Sequence, residues 1–173
     1  MPNWCDNSLY ITGKSEDIKK LYEEAKEKGF FESILPLGEW EYGKAIDTWG
    51  TKWEVRIEDN DDQIDVDLDL KEDQGSMSMF FQTAWGPALG VYRELAKRFC
   101  IEGYYIEPGV EFCGQFSNKE AGAELTEDSW DTIVDLTEEE MESMDEDLKT
   151  MVQEEKEWLE QSREEDEEEA TSE

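Results

Sequence analysis

Ile64-Asp65-Val66-Asp67-Leu68-Asp69-Leu70 alternates aliphatic and acidic side chains without a break. A period of two is that of a β-strand with one buried face and one wet face. The wet face here is wholly anionic. Tryptophan-rich segments flank it, W-G-T-K-W at 49–53 and F-F-Q-T-A-W-G-P at 80–87. The stretch therefore supplies a sheet strand, aromatic anchors on either side and a row of carboxylates.

Outward from that strand, helical and strand periodicities follow one another. W-C-D-N-S-L-Y-I-T (4–12) reads as a first strand turned by Gly13. Ser15 reads as the N-cap of a helix over 16–28, in which Ile18, Leu21, Tyr22 and Ala25 share a face and Gly29 is the stop. F-F-E-S-I-L (30–35) reads as a short strand, followed by an irregular loop to Asp47. Residues 53–57 read as a strand turned by the acidic run 58–62, and 77–82 as another. Gly86 and Pro87 open a second helix with Leu89, Tyr92, Leu95, Ala96 and Phe99 on one stripe. Two strand-like runs joined around Pro108 and Gly109 predict a hairpin. The order predicts an α+β fold, a ferredoxin-like, largely antiparallel sheet with two helices on one face, plus an acidic C-terminal helix.

Charge is the outlier. The 173 residues hold 48 Asp and Glu against 16 Lys and Arg, a formal net charge of −32. A small domain needs a magnitude of only about 2–8 for solubility. Such a field repels bare nucleic acid and anionic membranes and attracts basic proteins or cations. Residues 124–173 alone carry 23 of the acids and 3 of the bases. This shift divides the chain into a domain at 1–123, an acidic linker and helix at 124–163 and a disordered acidic tail at 164–173. Thr137 and Glu140 have the capping-box spacing, and Met141, Met144, Leu148, Met151 and Trp158 form a heptad-like seam, which together predict a helix over 138–161. The acids beyond it oppose the helix macrodipole, so fraying is expected there.

Histidine is absent from the sequence, which removes Ser-His-Asp and Cys-His machinery and the common His-containing zinc sites. Cys5, Cys100 and Cys113 lie far apart with no C-x-x-C pair, against a disulfide framework. No run approaches the roughly 18 apolar residues of a membrane span, and none at the N-terminus reads as a signal peptide. A reducing cytoplasm is the expected location.

M-P-N-W-C-x-N at 1–7, W-G-T-K-W at 49–53, T-A-W-G-P at 83–87 and Y-x-E-x-G-x-x-F-x-G at 105–114 stand in this order. Over about 1–123 the chain thereby resembles the YubB-like ferredoxin-fold proteins of phages and plasmids, departing from their pattern at Gly86-Pro87-Ala88, where Ser-Pro-Pro is usual. The resemblance implies a ferredoxin-like domain encoded by a mobile element and acting in a bacterial cytoplasm. It implies no catalytic residues.

Nine carboxylates crowd 58–73, among them Asp59, Asp61, Asp62, Asp65, Asp67 and Asp69. A calcium loop starting at Asp65 would place Leu70 where glycine belongs and Ser76 where the bidentate glutamate belongs, so no metal or cofactor is expected. Alternate carboxylates on a strand stand about 6.6–6.8 Å apart, about twice the 3.4 Å charge spacing of one DNA strand. Such a row fits a basic groove made for phosphates, or else is a solvated edge that blocks aggregation. The C-terminal helix either docks its seam on the domain, dimerises or binds a partner with its soft methionines. The partner-binding residues expected there are Glu138, Glu142, Asp145 and Glu146 with Met144, Met151 and Trp158. Trp4, Trp40, Trp49, Trp53 and Trp85 are expected in the core, and Lys52 as a snorkelling surface lysine.

The expected function is that of a non-enzymatic acidic protein of a phage or plasmid. It would bind and inhibit a basic, DNA-binding or defence-related host protein by charge mimicry, as a monomer or dimer, with no direct nucleic-acid or membrane contact. The alternative is a small-ligand or divalent-cation binding domain with weak hydrolytic activity. A third option is an accessory protein whose acids serve only solubility.

Overall fold

The computed structural model describes residues 3–58, 64–109 and 111–171, apart from the side chains of 168 and 169. Asp59, Asp61 and Asp62 lie outside the described residues.

The alternating stretches become strands with one shared buried face. Strand β1 (Trp4–Lys14) turns Cys5, Leu9 and Ile11 to that face. Helix α1 (Ser15–Lys28) follows and buries Ile18, Leu21 and Ala25. Strand β2 (Ile64–Leu70) pairs antiparallel with β3 (Gln74–Ala84), whose Met77, Met79 and Phe81 are buried. Past two short helices, α2 (Phe30–Ile34) and α3 (Tyr42–Trp49), helix α4 (Leu89–Ala96) adds Val91, Tyr92 and Leu95 to the same core. Strand β4 (Cys100–Glu107) returns beside β1, and β5 (Phe112–Ser117) completes the predicted hairpin. Strand β6 (Thr126–Trp130) forms the far edge, and the sheet runs in the order β2-β3-β1-β4-β5-β6, every pairing antiparallel. The first four strands in that order, with α1 and α4 on one face, make the split βαβ arrangement.

Polar groups inside this core are paired, as burial demands. Tyr92 donates its hydroxyl to Asn7 Oδ1 at 2.6 Å, and Asn7 Nδ2 donates to Thr83 Oγ1 at 2.8 Å and Cys5 O at 2.9 Å. Thr51 donates to Ala84 O at 2.9 Å, and Gly50, at φ +93°, lies so close to Pro87 O that a Cβ would meet it at 2.8 Å. Residues 3–7, 49–53 and 83–87 therefore converge on one corner of the domain, and its packing explains Asn7, Gly50, Thr51 and Thr83.

Several expected elements differ. Residues 30–35 form a helix, α2 (Phe30–Ile34), because a remote carboxylate caps it: Glu54 accepts from Phe31 N at 2.6 Å and Glu32 N at 2.7 Å. The segment expected as a loop contains α3 (Tyr42–Trp49), with Ala45 and Trp49 buried one turn apart. Residues 54–58 form no strand; Val55 and Ile57 are buried alternately, but Val55 O accepts from Phe30 N at 2.9 Å in place of a ladder partner. Ser15 does not cap α1; its hydroxyl donates to Lys71 O.

The sheet also crosses the composition break, since β6 lies beyond 123. The expected single helix is two, α5 (Glu138–Glu142) and α6 (Glu146–Thr171). Asp145 interrupts it by capping α6, its Oδ1 accepting from Asp147 N at 3.0 Å. The capping box of Thr137 and Glu140 is present on α5. Residues 164–171, expected as a disordered tail, are helical; Glu and Ala, which make up most of them, are strong helix formers, and Gln161 donates to Glu165 at 3.3 Å four residues on. Met141, Met144, Leu148 and Val152 join Ile133 and Leu136 in a second core, packed on Ile106 and Cys113. Ile106 and Cys113 point away from α1 and α4, so α5 and the start of α6 roof the opposite face of the sheet at its β4–β5–β6 end.

Candidate partner-binding face

That roof covers only half of the face. The other half is bare, and register defines what it shows. Asp67 pairs with Ser78, Ser78 with Tyr10, Tyr10 with Glu102 and Glu102 with Ser117, one straight row across five strands. The next row reads Asp65, Phe80, Ser8, Tyr104, Gln115 and Asp128. Asp65, Asp67 and Asp69 are exposed, as the alternation predicted, and stand along the edge strand β2. Tyr10 and Phe80 are 39% and 41% exposed, large apolar surface left uncovered in the middle of the anionic field.

Where the bare half meets the roof there is a groove of about 580 Å³. Its acids are Glu102, Asp128, Asp145 and Asp147, and among the described residues none of its lining side chains is basic. Gln115 pins the corner: its Oε1 accepts from Asp145 N at 2.7 Å, and its Nε2 donates to Ser143 O at 3.2 Å and Asp128 at 3.3 Å. Burial, together with the carboxylates of Asp147 and Asp145, pushes the Tyr104 phenol up against a hydrogen bond with Ser8, so it remains a neutral donor in the groove wall. Three strand steps of about 4.8 Å separate the β2 row from Glu102 by about 14 Å, comparable with the roughly 12 Å width of the DNA major groove.

The structure treats the residues expected on the C-terminal helix unequally. Glu138, Glu142, Asp145 and Glu146 are exposed. Asp145 and Glu146 lie at the N-terminal end of α6, beside the groove; Glu138 and Glu142 lie on α5. Met144 is buried at 5% exposure and Met151 packs against the second core, so neither is free for a partner. Trp158 is 61% exposed and is the one seam residue left open. Asp6, Tyr10, Phe80, Glu102, Tyr104, Asp128 and Asp147 were missed by sequence reasoning. Extending the alternation of β1 and β3 to their outer faces would have found Asp6, Tyr10 and Phe80.

The tryptophans correct a second expectation. Trp49 is buried, with its Nε1 donating to Leu35 O at 2.7 Å, but Trp4, Trp40, Trp53 and Trp85 are 39–51% exposed. Lys52 lies with its ammonium 4.4 Å from the Trp53 ring centroid, a cation–π contact rather than a free snorkel. Cys5 and Cys113 are buried, and burial pushes both thiols up, Cys113 to about 12, so neither is a thiolate nucleophile. Among the described residues no group of three or more His, Cys, Asp or Glu side chains is arranged to hold a metal ion, and no helix is long and apolar enough to cross a membrane.

Sheet order, antiparallel ladders and paired helices define an α+β protein of ferredoxin-like type with a second, roofed face. Residues 52–154, more than half of the chain, match the family described as the ferredoxin-like domain in Api92-like protein, and the chain belongs to that family. The match runs across 123 into α6, in keeping with β6 and the roof being part of one folded unit. No curated protein and no solved structure matches the chain.

Proposed function

We propose that this is a non-enzymatic acidic protein of a phage or plasmid, acting in the bacterial cytoplasm. It binds and inhibits a basic, DNA-binding or defence-related host protein by offering it nucleic-acid-like charge. The observation that carries this reading is the bare half of the sheet face. There the Asp65, Asp67 and Asp69 row, Glu102 and the Asp145–Asp147 corner surround exposed Tyr10 and Phe80. Carboxylates supply long-range attraction and register, and exposed aromatic rings supply area and cation–π partners for Arg and Lys. The mobile-element origin rests on the motif resemblance alone.

The test uses the full chain, because cutting at 123 would remove β6 and strip the roof from Ile106 and Cys113. The immobilised wild type is expected to retain a basic DNA-binding protein from bacterial lysate, to release it between about 50 and 500 mM salt, and to lose it to duplex DNA as competitor. A variant carrying Asp65→Asn, Asp67→Asn and Asp69→Asn is expected to retain much less. Retention that ignores both salt and competing DNA would sink the mimicry.

A further inference from the structure

The end of the molecule near the Trp49–Thr51 corner carries a different kind of cavity. It measures about 560 Å³ and is lined by Trp40, Trp49 and Trp53 together with Lys28, Arg56, Glu32 and Glu54. That volume lies within the range of about 300–1,000 Å³ usual for small-molecule sites. Trp40 is 51% exposed yet held in place, its Nε1 donating to Lys52 O at 3.1 Å. An indole that is pinned by its only donor and left half exposed in a cavity lining is a preformed stacking platform.

The charges in this cavity are arranged unlike those of the acidic groove. Both carboxylates are turned to backbone. Glu54 accepts from Phe31 N, Val55 N and Glu32 N at 2.6–2.8 Å, and Glu32 accepts from Leu37 N at 2.9 Å and Gly38 N at 3.1 Å. All four carboxylate oxygens are thus engaged. Lys28 and Arg56 balance them, and outside the lining the Lys52 ammonium lies over the Trp53 ring. In a chain of net charge −32, a lining with cations equal to acids and the acid oxygens spent on N–H groups is a place where an anion is not repelled. Burial pushes the Glu54 carboxyl up despite its hydrogen bonds.

We propose that this cavity binds a small planar aromatic anion of the nucleoside monophosphate class. The ring stacks on Trp40, and the anionic group is met by Arg56 and Lys28. This site is separate from the acidic face and independent of the function proposed for it.

Isothermal titration of the full-length protein with AMP, with adenosine and with ribose 5-phosphate tests it. The expected result is saturable 1:1 binding of AMP in the micromolar to millimolar range, with each fragment at least about tenfold weaker. Trp40→Ala is expected to weaken AMP about tenfold through lost stacking, and Arg56→Gln severalfold. Both positions are exposed, and an unchanged melting temperature will show that the variants fold. The variant carrying Asp65→Asn, Asp67→Asn and Asp69→Asn is expected to bind AMP at least as well as wild type. No binding of AMP up to about 5 mM, adenosine binding as tightly as AMP, or undiminished affinity in both Trp40→Ala and Arg56→Gln would each overturn the proposal.

Discussion

One sheet face is divided between two opposite solutions. Under α5 and α6 it shows Ile106, Cys113 and Trp130, buried or half-buried. A few ångströms away, across β1, β3 and β2, it shows Asp, Ser, Tyr and Phe to solvent. The strands are continuous, and only the outward residues change. A roof forms where outward positions offer aliphatic or thiol surface to the Met144, Leu148 and Val152 stripe, and stops where they become polar. The exposed rings of Tyr10 and Phe80 depart from that logic, and the proposed function rests on this departure.

The contrast can be broken from the roofed side first. Leu148→Ala should cost about 2–5 kcal/mol, the range for deleting a fully buried leucine side chain. It should also make Cys113 reactive towards a thiol reagent at a rate far above wild type. Denaturant unfolding and labelling followed by mass spectrometry check both; an unprotected Cys113 in wild type would mean that the roof is not closed in solution. Gln115→Ala should cost about 1 kcal/mol by leaving the α5–α6 corner untied, and should raise amide exchange at Asp145 and Ser143 before it is felt elsewhere.

On the bare half the same kinds of change should barely touch stability. Asp65→Asn, Asp67→Asn and Asp69→Asn together should shift it within about 0.5 kcal/mol per site, with relief of charge repulsion tending to raise the melting temperature. A loss as large as that of Leu148→Ala would show that this half is covered after all. The smallest effect concerns pH. Hydrogen bonds with the Thr137 backbone and hydroxyl hold the Glu140 carboxyl below its usual range. Its contribution to the α5 cap is therefore present above the unfolded value of about 4.3 and lost as pH falls through the lower folded value. Melting curves of wild type and Glu140→Ala should differ at pH 7 and converge in strong acid.

What the sequence disclosed follows the range of the interactions involved. The Ile64–Leu70 alternation, the α1 and α4 stripes, the hairpin and the Thr137 capping box are each written within a dozen residues and were legible. Helix α2 was not, because its cap is Glu54, more than 20 residues away. The run at 53–57 has a strand's alternation but spends its carbonyl on Phe30. Strand β6, Thr-Glu-Asp-Ser-Trp, has almost no buried face to announce it. Of the site, the Asp row was readable because it lies on one strand. The groove was not, since Glu102, Tyr104, Gln115 and Asp145 meet only through strand register and the α5–α6 turn.

The placing of β1 has a consequence for synthesis. It lies between β3 and β4, so it has no neighbour in the sheet until residues 74–107 have followed it. At roughly 5–20 residues per second, that wait lasts on the order of 5–20 s, during which Leu9 and Ile11 have no sheet to enter. The nascent chain must keep its central strand unpaired and soluble over that interval, and the polar Asp6, Ser8 and Thr12 on its other side serve that end.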